Sequence, residues 1–265
     1  MALDIKAIGA GNLPDAARLC LAGRTLSDRP PAFTREVELE STRCKLSYLR
    51  TATMKGSKAL AAYRSGMLVG YVEAHPIEEA LVPVDGKGCH VIGCLRVPEE
   101  SERAEVEPVL IDALVKAVPQ SKGLAVLARD KDWKPLGFTE AFREPSEVES
   151  IDRVLWWKAV TGGDAPKTVA VDRKIPKIEG KVRVDLFTNH RCPWDQYVFD
   201  LVRRVCTSMK DATVVVYETD CSRRREVLRS GVAAAIAVQG RYQPWVRPNR
   251  LPDDHTVRRT IEAAI

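Results

Sequence analysis

The sequence predicts an α/β protein in two domains, and three observations lead there. A strand–helix–strand run between residues 90 and 128 has the patterning of a parallel crossover. A second block restarts at Val182 with its own alternation of strands and helices. Between them, residues 161–180 hold Gly162-Gly163, Pro166 and Pro176 with little apolar periodicity, which reads as a linker. A chain of 265 residues is long for one core and comfortable for two. The expected division is therefore residues 1–160, a linker over 161–180, and residues 181–265.

In chain order, residues 13–22 have helical spacing. Residues 57–64 and 67–74 form two strands joined at Ser65-Gly66, a hairpin. Lys87-Gly88 precedes a strand over 89–97. The helix expected over 108–118 places Leu110, Ala113, Leu114 and Ala117 on one stripe, with Pro108 at its first turn and Pro119 beyond its end. Residues 123–128 are the next strand, and the apolar runs 133–138 and 154–160 complete the first domain. In the second, 182–187 alternates as a strand, 194–209 is helical, and 212–217 is a β-branched strand. A basic helix over 222–230, two short strands around Gly240 and a terminal helix over 254–264 follow. The order βαβαββα suits a small α/β sandwich.

Composition narrows the function classes. Hydrophobic content of 45% and charged content of 29% are those of an ordinary globular protein. The net charge of +5 is modest, and no nucleic-acid-binding motif accompanies the basic groups Arg223, Arg224, Arg225 and Arg229, or Arg241, Arg247 and Arg250. These read as solvated faces. No apolar run approaches the ~18 residues of a membrane span, so membrane insertion is not expected and cytoplasmic residence is. Seven cysteines contain no Cys-x-x-Cys pair. Strand alternation puts Cys89 and His90 on opposite faces and Cys94 with His90, too dispersed for tetrahedral zinc.

The segment 97–108 carries the most information. It lies between a strand and a helix, where a loop could hold a phosphate, yet it has no glycine, five glutamates and one arginine. Around it stand Gly70-Tyr71-Val72-Glu73, then Ala80-Leu81-Val82-Pro83-Val84, then Val91-Ile92-Gly93-Cys94-Leu95-Arg96-Val97, and later Leu136-Gly137-Phe138. These residues resemble the acetyl-CoA-dependent GNAT superfamily of N-acetyltransferases, and within it the YoaP-like proteins. Phe187-Thr188-Asn189-His190-Arg191-Cys192-Pro193-Trp194 resembles the thioredoxin-like domain that YoaP-like proteins append. The implied fold is a GNAT-like mixed sheet with flanking helices, followed by a thioredoxin-like domain.

The resemblance implies a mechanism. Such enzymes hold the pyrophosphate of acetyl-CoA on backbone amides of a glycine-containing loop and of the helix behind it, and a splayed strand pairs with the pantetheine. Glycine lets the backbone approach the phosphates closely. Here the cofactor positions fall on Leu95 and Val97 of the strand and on Arg103, Glu105 and Glu107 in place of the three glycines. An anion ~6 Å from a phosphate charge costs ~0.7 kcal/mol at an effective dielectric of about 80 and ~2.8 kcal/mol at about 20. Several such anions weaken binding by about a thousandfold. No cofactor is therefore expected.

Tyr48, Tyr63, Tyr71, Glu73, His75 and His90 are titratable groups near the expected sheet, but no spacing assigns a catalytic role to any of them. In the second domain Cys192 is the redox candidate, at a helix start where the dipole favours thiolate. The run Cys192-Pro193-Trp194-Asp195 has aspartate where a resolving cysteine would stand, which excludes dithiol exchange within the motif. Three readings follow: a non-catalytic accessory subunit that binds another protein or a multi-subunit complex, an active acetyl-CoA-dependent N-acyltransferase, and a monothiol redox protein using Cys192. The first is the expectation, with no specific nucleic-acid partner; Trp156-Trp157 or Trp245 would serve as contact anchors if exposed, and core packing accounts for such tryptophans at least as often.

Overall fold

A computed structural model describes residues 2–9, 11–21, 34–128, 131–144, 153–169, 175–209, 213–246 and 251–265. Arg247, Arg250, residue 22 of the first expected helix and residue 212 of an expected strand lie outside these. The described residues form two units, one within 1–24, 46–146 and 151–169, the other within 25–45, 147–150 and 170–265.

The first unit is built on a seven-stranded mixed sheet. Its elements are β1 (Asp4–Ala7), α1 (Leu13–Leu21), α2 (Arg35–Met54, from Leu46 onward), β2 (Lys58–Arg64), β3 (Met67–Pro76), β4 (Val84–Asp85), β5 (His90–Arg96), α3 (Glu100–Ala117), β6 (Gly123–Ala128), β7 (Thr139–Glu144), β8 (Arg153–Ala159) and β9 (Lys167–Thr168). The sheet order is β1-β2-β3-β5-β6-β8-β7, and only β5 and β6 run parallel, joined through α3. β4 pairs with β9, so the stretch read as linker contributes a strand to this unit.

Alternation along the strands makes the sheet two-faced. Leu60, Ala62, Val72, Ala74 and Ile92 meet Val106, Leu110, Ile111 and Leu114 of α3. Ala61 and Tyr71 point the other way, into a cluster with Leu13, Ala16 and Leu19 of α1 and Leu49 of α2. Each fully buried leucine contributes ~1.5–3 kcal/mol by leaving water. Trp156 and Trp157 fall into separate clusters, one on each face, at 4% and 8% exposure. They are core residues, not contact anchors, and so is Trp245 at 5%.

Two features of this sheet shape the candidate site. First, β5 and β6 pair only at His90↔Leu124 and Val91↔Ala125, although both strands run on, so they diverge toward the start of α3. Second, β5 is bulged at Gly93: Glu73 pairs with Cys94 and Ala74 with Ile92, leaving Gly93 unmatched. The bulge flips the alternation, so Cys94 shares a face with Glu73, not with His90 as strict period two would have it.

In the second unit, besides the part of α2 before Leu46, the elements are β10 (Val182–Thr188), α4 (Pro193–Ser208), β11 (Val214–Asp220), α5 (Arg224–Ser230), β12 (Ala235–Val238), β13 (Arg241–Tyr242) and α6 (Asp254–Glu262). The expected βαβαββα order is present. The sheet runs β11-β10-β12-β13, with β10 and β11 parallel and the other pairs antiparallel. Tyr197, Val198, Phe199, Leu201 and Val202 of α4 and Val257 and Ile261 of α6 are buried.

Candidate functional site

The helix after β5 starts earlier than its sequence suggests. Pro108 favours a first-turn position, yet α3 begins at Glu100 and carries Pro108 in its interior. The residues ahead of the proline explain this: Glu, Arg and Ala are good helix formers, and no glycine interrupts them. The interior proline forfeits one helical hydrogen bond, at ~3 kcal/mol. Burial of Val106, Leu110, Ile111 and Leu114 offsets that cost.

Arg103, Glu105 and Glu107 are therefore helical residues, not a loop. In helical geometry each amide points back to the carbonyl four residues earlier, so none of the three is available to a ligand. The open amides belong to the first turn. There Glu99 is the cap, with no side-chain capping bond, Glu100 and Glu102 follow, and the Glu102 amide donates to the Glu99 carbonyl at 3.1 Å. These carboxylates already answer the positive helix pole.

The flanking side chains are engaged within the protein. Arg64 of β2 pairs with Glu102 and Glu105, both at 2.6 Å, clasping one face of the first two turns. Glu107, 8% exposed, accepts from Lys131, whose ammonium lies 5.1 Å from the Trp133 ring centroid. Arg103 Nε donates to the Val97 carbonyl at 3.3 Å. The Val97 side chain is buried, and Leu95 packs against the same core, which also holds Trp133, Leu136 and Phe138. Leu136-Gly137-Phe138 follows on a single 3₁₀ turn, Lys134–Leu136. A pyrophosphate does not fit at Arg103, Glu105 and Glu107: their amides lie within the helix, and the first turn ahead of them carries carboxylates.

Of the six titratable groups, four come together on the opposite face. The Tyr71 hydroxyl donates to Glu73 Oε2, and Glu73 Oε1 lies 3.6 Å from His75 Nε2. That nitrogen shares a hydrogen bond with the Tyr48 hydroxyl at 3.1 Å, and His75 Nδ1 shares one with Ser57 Oγ at 2.7 Å. Tyr71, Glu73 and His75 are buried, and Tyr48 is half-buried. Burial, and then the Glu73 charge, push the Tyr71 phenol far above its ordinary range. Gly93 leaves room for this cluster, because a Cβ there would lie 2.7 Å from His75 Nε2. Tyr63 stands apart, donating to Asp15 at 2.7 Å, with burial and then that hydrogen bond raising its pKa. His90 is also separate: it bonds Ser121 at 3.1 Å, and burial lowers its pKa.

Sequence reasoning missed Arg64, Ser57 and Lys131. Their partners lie 38, 18 and 24 residues away, beyond the reach of local spacing.

Cys192 caps α4 in extended conformation, φ −115° and ψ 124°, with Pro193 following and no side-chain cap bond. Its loop is tied down by Asn189, which donates to the Ala233 carbonyl ahead of β12 and accepts from the Arg191 amide at 2.9 Å. Gln196 donates to the Asn189 carbonyl. Asp195 sits in the first turn at 6% exposure.

No protein-family model matches the chain, and no curated protein matches it. Solved structures similar to it include a putative GNAT-family acetyltransferase from Desulfovibrio desulfuricans, 12% identical, covering 60% of this chain and 100% of that one at a TM-score of 0.45. Another is a ribosomal-protein-alanine N-acetyltransferase from Brucella melitensis, 17% identical, covering 59% and 99% at 0.44. A third is a GNAT-family acetyltransferase from Brucella melitensis in complex with acetyl-CoA, 15% identical, covering 63% and 93% at 0.41. The fold class rests on strand order, strand direction and the helix between the parallel pair, not on these scores.

Proposed function

We propose that the first unit is a GNAT-type acetyltransferase fold without a working acetyl-CoA site, joined to a thioredoxin-like unit without a dithiol, and that the protein serves as a non-catalytic, protein-binding accessory subunit. One observation carries this reading: α3 begins at Glu100, so the amides that would cradle a pyrophosphate lie inside a helix whose first turn is acidic. Strand order and the β5–β6 divergence support the GNAT assignment. The β11-β10-β12-β13 order and a cysteine at the start of α4 support the thioredoxin-like one. Isothermal titration of the full chain with acetyl-CoA tests the reading. The expected result is no saturable heat at millimolar ligand; binding in the micromolar range overturns it in favour of acyl transfer.

A second reading, N-acyl transfer, is favoured by the Tyr48–His75–Glu73–Tyr71 cluster, which leads from a half-buried phenol to a buried carboxylate. Turnover of acetyl-CoA with any amine acceptor, abolished in His75→Ala, would establish it. The monothiol reading has less support, because Asp195 places a carboxylate in the turn that would stabilise a Cys192 thiolate.

A further inference from the structure

A groove of 1120 Å³ opens in the second unit, outside every site described above. Its walls are the Lys177 segment, β13 with Arg241 and Tyr242, and one side of α6 with His255, Thr256 and Arg259. No aspartate or glutamate is among its described lining residues. That bias is unusual for a chain with 41 basic and 36 acidic residues.

The groove cations differ from the paired arginines of the same unit: Arg183 with Asp185 at 2.7 Å, Arg203 with Glu218 at 2.8 Å, Arg229 with Glu226 at 2.6 Å. Among the described residues, Lys177, Arg241 and Arg259 make no ion pair or side-chain hydrogen bond. Asp253, Asp254 and Glu262 are the acids of α6 and its cap; none is among the described lining residues, and the Asp253 carboxylate is engaged as the helix cap, accepting from the Thr256 amide at 2.7 Å. His255 and Arg259 stand one turn apart on α6, as do Thr256 and Thr260, so an imidazole and a guanidinium form one row along the groove and two hydroxyls the next.

We infer that this groove binds an acidic, extended peptide segment of a partner protein. The volume lies above the range of about 300–1,000 Å³ common for small-molecule sites, which favours a ligand longer than a metabolite. Gln243 and Thr256 add neutral groups able to exchange hydrogen bonds with a peptide backbone. Among the described lining residues Tyr242 is the single phenyl-type ring, a poor platform for successive nucleic-acid bases. The inference names a partner class for the protein-binding reading but stands on the second unit alone, so acetyl-CoA binding by the first unit neither supports nor removes it.

The test is fluorescence anisotropy of the full chain with a fluorescein-labelled Glu-Ser repeat peptide, set beside a Lys-Ser repeat and single-stranded oligouridylate. The Glu-Ser peptide saturates, and added salt weakens it. Arg241→Glu and Arg259→Glu each lower its affinity by at least about tenfold. Lys177→Glu on the facing segment does the same, whereas Arg225→Glu, on α5 and outside the groove, changes nothing. Circular dichroism confirms that each variant is folded. Absence of saturation, equal binding of the Lys-Ser repeat, or unchanged affinity in folded groove variants overturns the inference. Tighter binding of oligouridylate at matched charge also overturns it and makes the groove a nucleic-acid surface.

Discussion

The starts of α3 and α4 invite direct comparison, because each follows the first strand of a parallel βαβ crossover in its own unit. Both caps are extended, φ −79° and ψ 120° at Glu99 against φ −115° and ψ 124° at Cys192, and neither makes a side-chain capping bond. In α3 the first turn is filled with carboxylates, two of its acids are clasped by Arg64, and the helix runs back through the segment a phosphate loop would need. In α4 the proline follows the cap directly, so the helix cannot extend backward, and a small cysteine stays at the entrance. A glycine-free, helix-favouring segment is drawn into the helix; a proline at the first position fixes where the helix begins.

The largest effect that sharpens this contrast comes from packing. α3 has no capping bond and an interior proline, so its stability depends on its buried face. Leu110→Ala should cost about 3 kcal/mol, measured by urea unfolding followed through tryptophan fluorescence. A loss below about 1 kcal/mol would mean that α3 is held by its ion pairs instead.

Next is the triple change Arg103→Gly, Glu105→Gly and Glu107→Gly. Helix propensity predicts a loss of about 2 kcal/mol, together with retreat of the helix start toward Pro108. This variant should bind acetyl-CoA more tightly than the parent. A folded variant whose helix still begins near residue 100 would show that propensity does not set the start.

α6 supplies the control, a helix whose cap does work. Asp253 accepts from the Thr256 amide at 2.7 Å, and Asp253→Ala should cost about 1 kcal/mol, whereas Glu99→Ala at α3 should be nearly neutral. The smallest effect is in pH. The hydrogen bond from Thr256 holds the Asp253 carboxyl below its ordinary 3.8. A depressed folded pKa means that this contribution is present above the unfolded value and is lost as pH falls through the folded one. Acid melting curves of the parent and Asp253→Ala should converge at the lowest pH; curves that stay parallel would contradict the capping role.

The second unit was legible almost element by element, because Val184 and Leu186 alternate cleanly and turn residues separate every segment. The hairpin of β2 and β3 and the crossover through β6 were legible for the same reason. α2 was not: its twenty residues, REVELESTRCKLSYLRTATM, carry charge through their first half and only a weak apolar stripe. β7 was missed because five of its six residues are exposed and no alternation marks it. The start of α3 was misplaced because a proline that usually opens helices was outweighed by propensity and packing. Within the candidate site, the absence of glycine from residues 97–108 was visible in the sequence. The helical state of Arg103, Glu105 and Glu107, the Arg64 clasp, the Gly93 bulge and the buried Tyr71–Glu73–His75 cluster depend on long-range register that no local pattern encodes.

Residue-resolved amide hydrogen exchange on the full chain, with and without acetyl-CoA, asks the α3 backbone directly whether it has amides to give. Slow exchange at Glu105 and Glu107, unchanged by millimolar acetyl-CoA, is the predicted result, because those protons are held by carbonyls of the same helix. Fast exchange in the free protein, slowed when acetyl-CoA is added, would mean that the segment is a ligand loop after all.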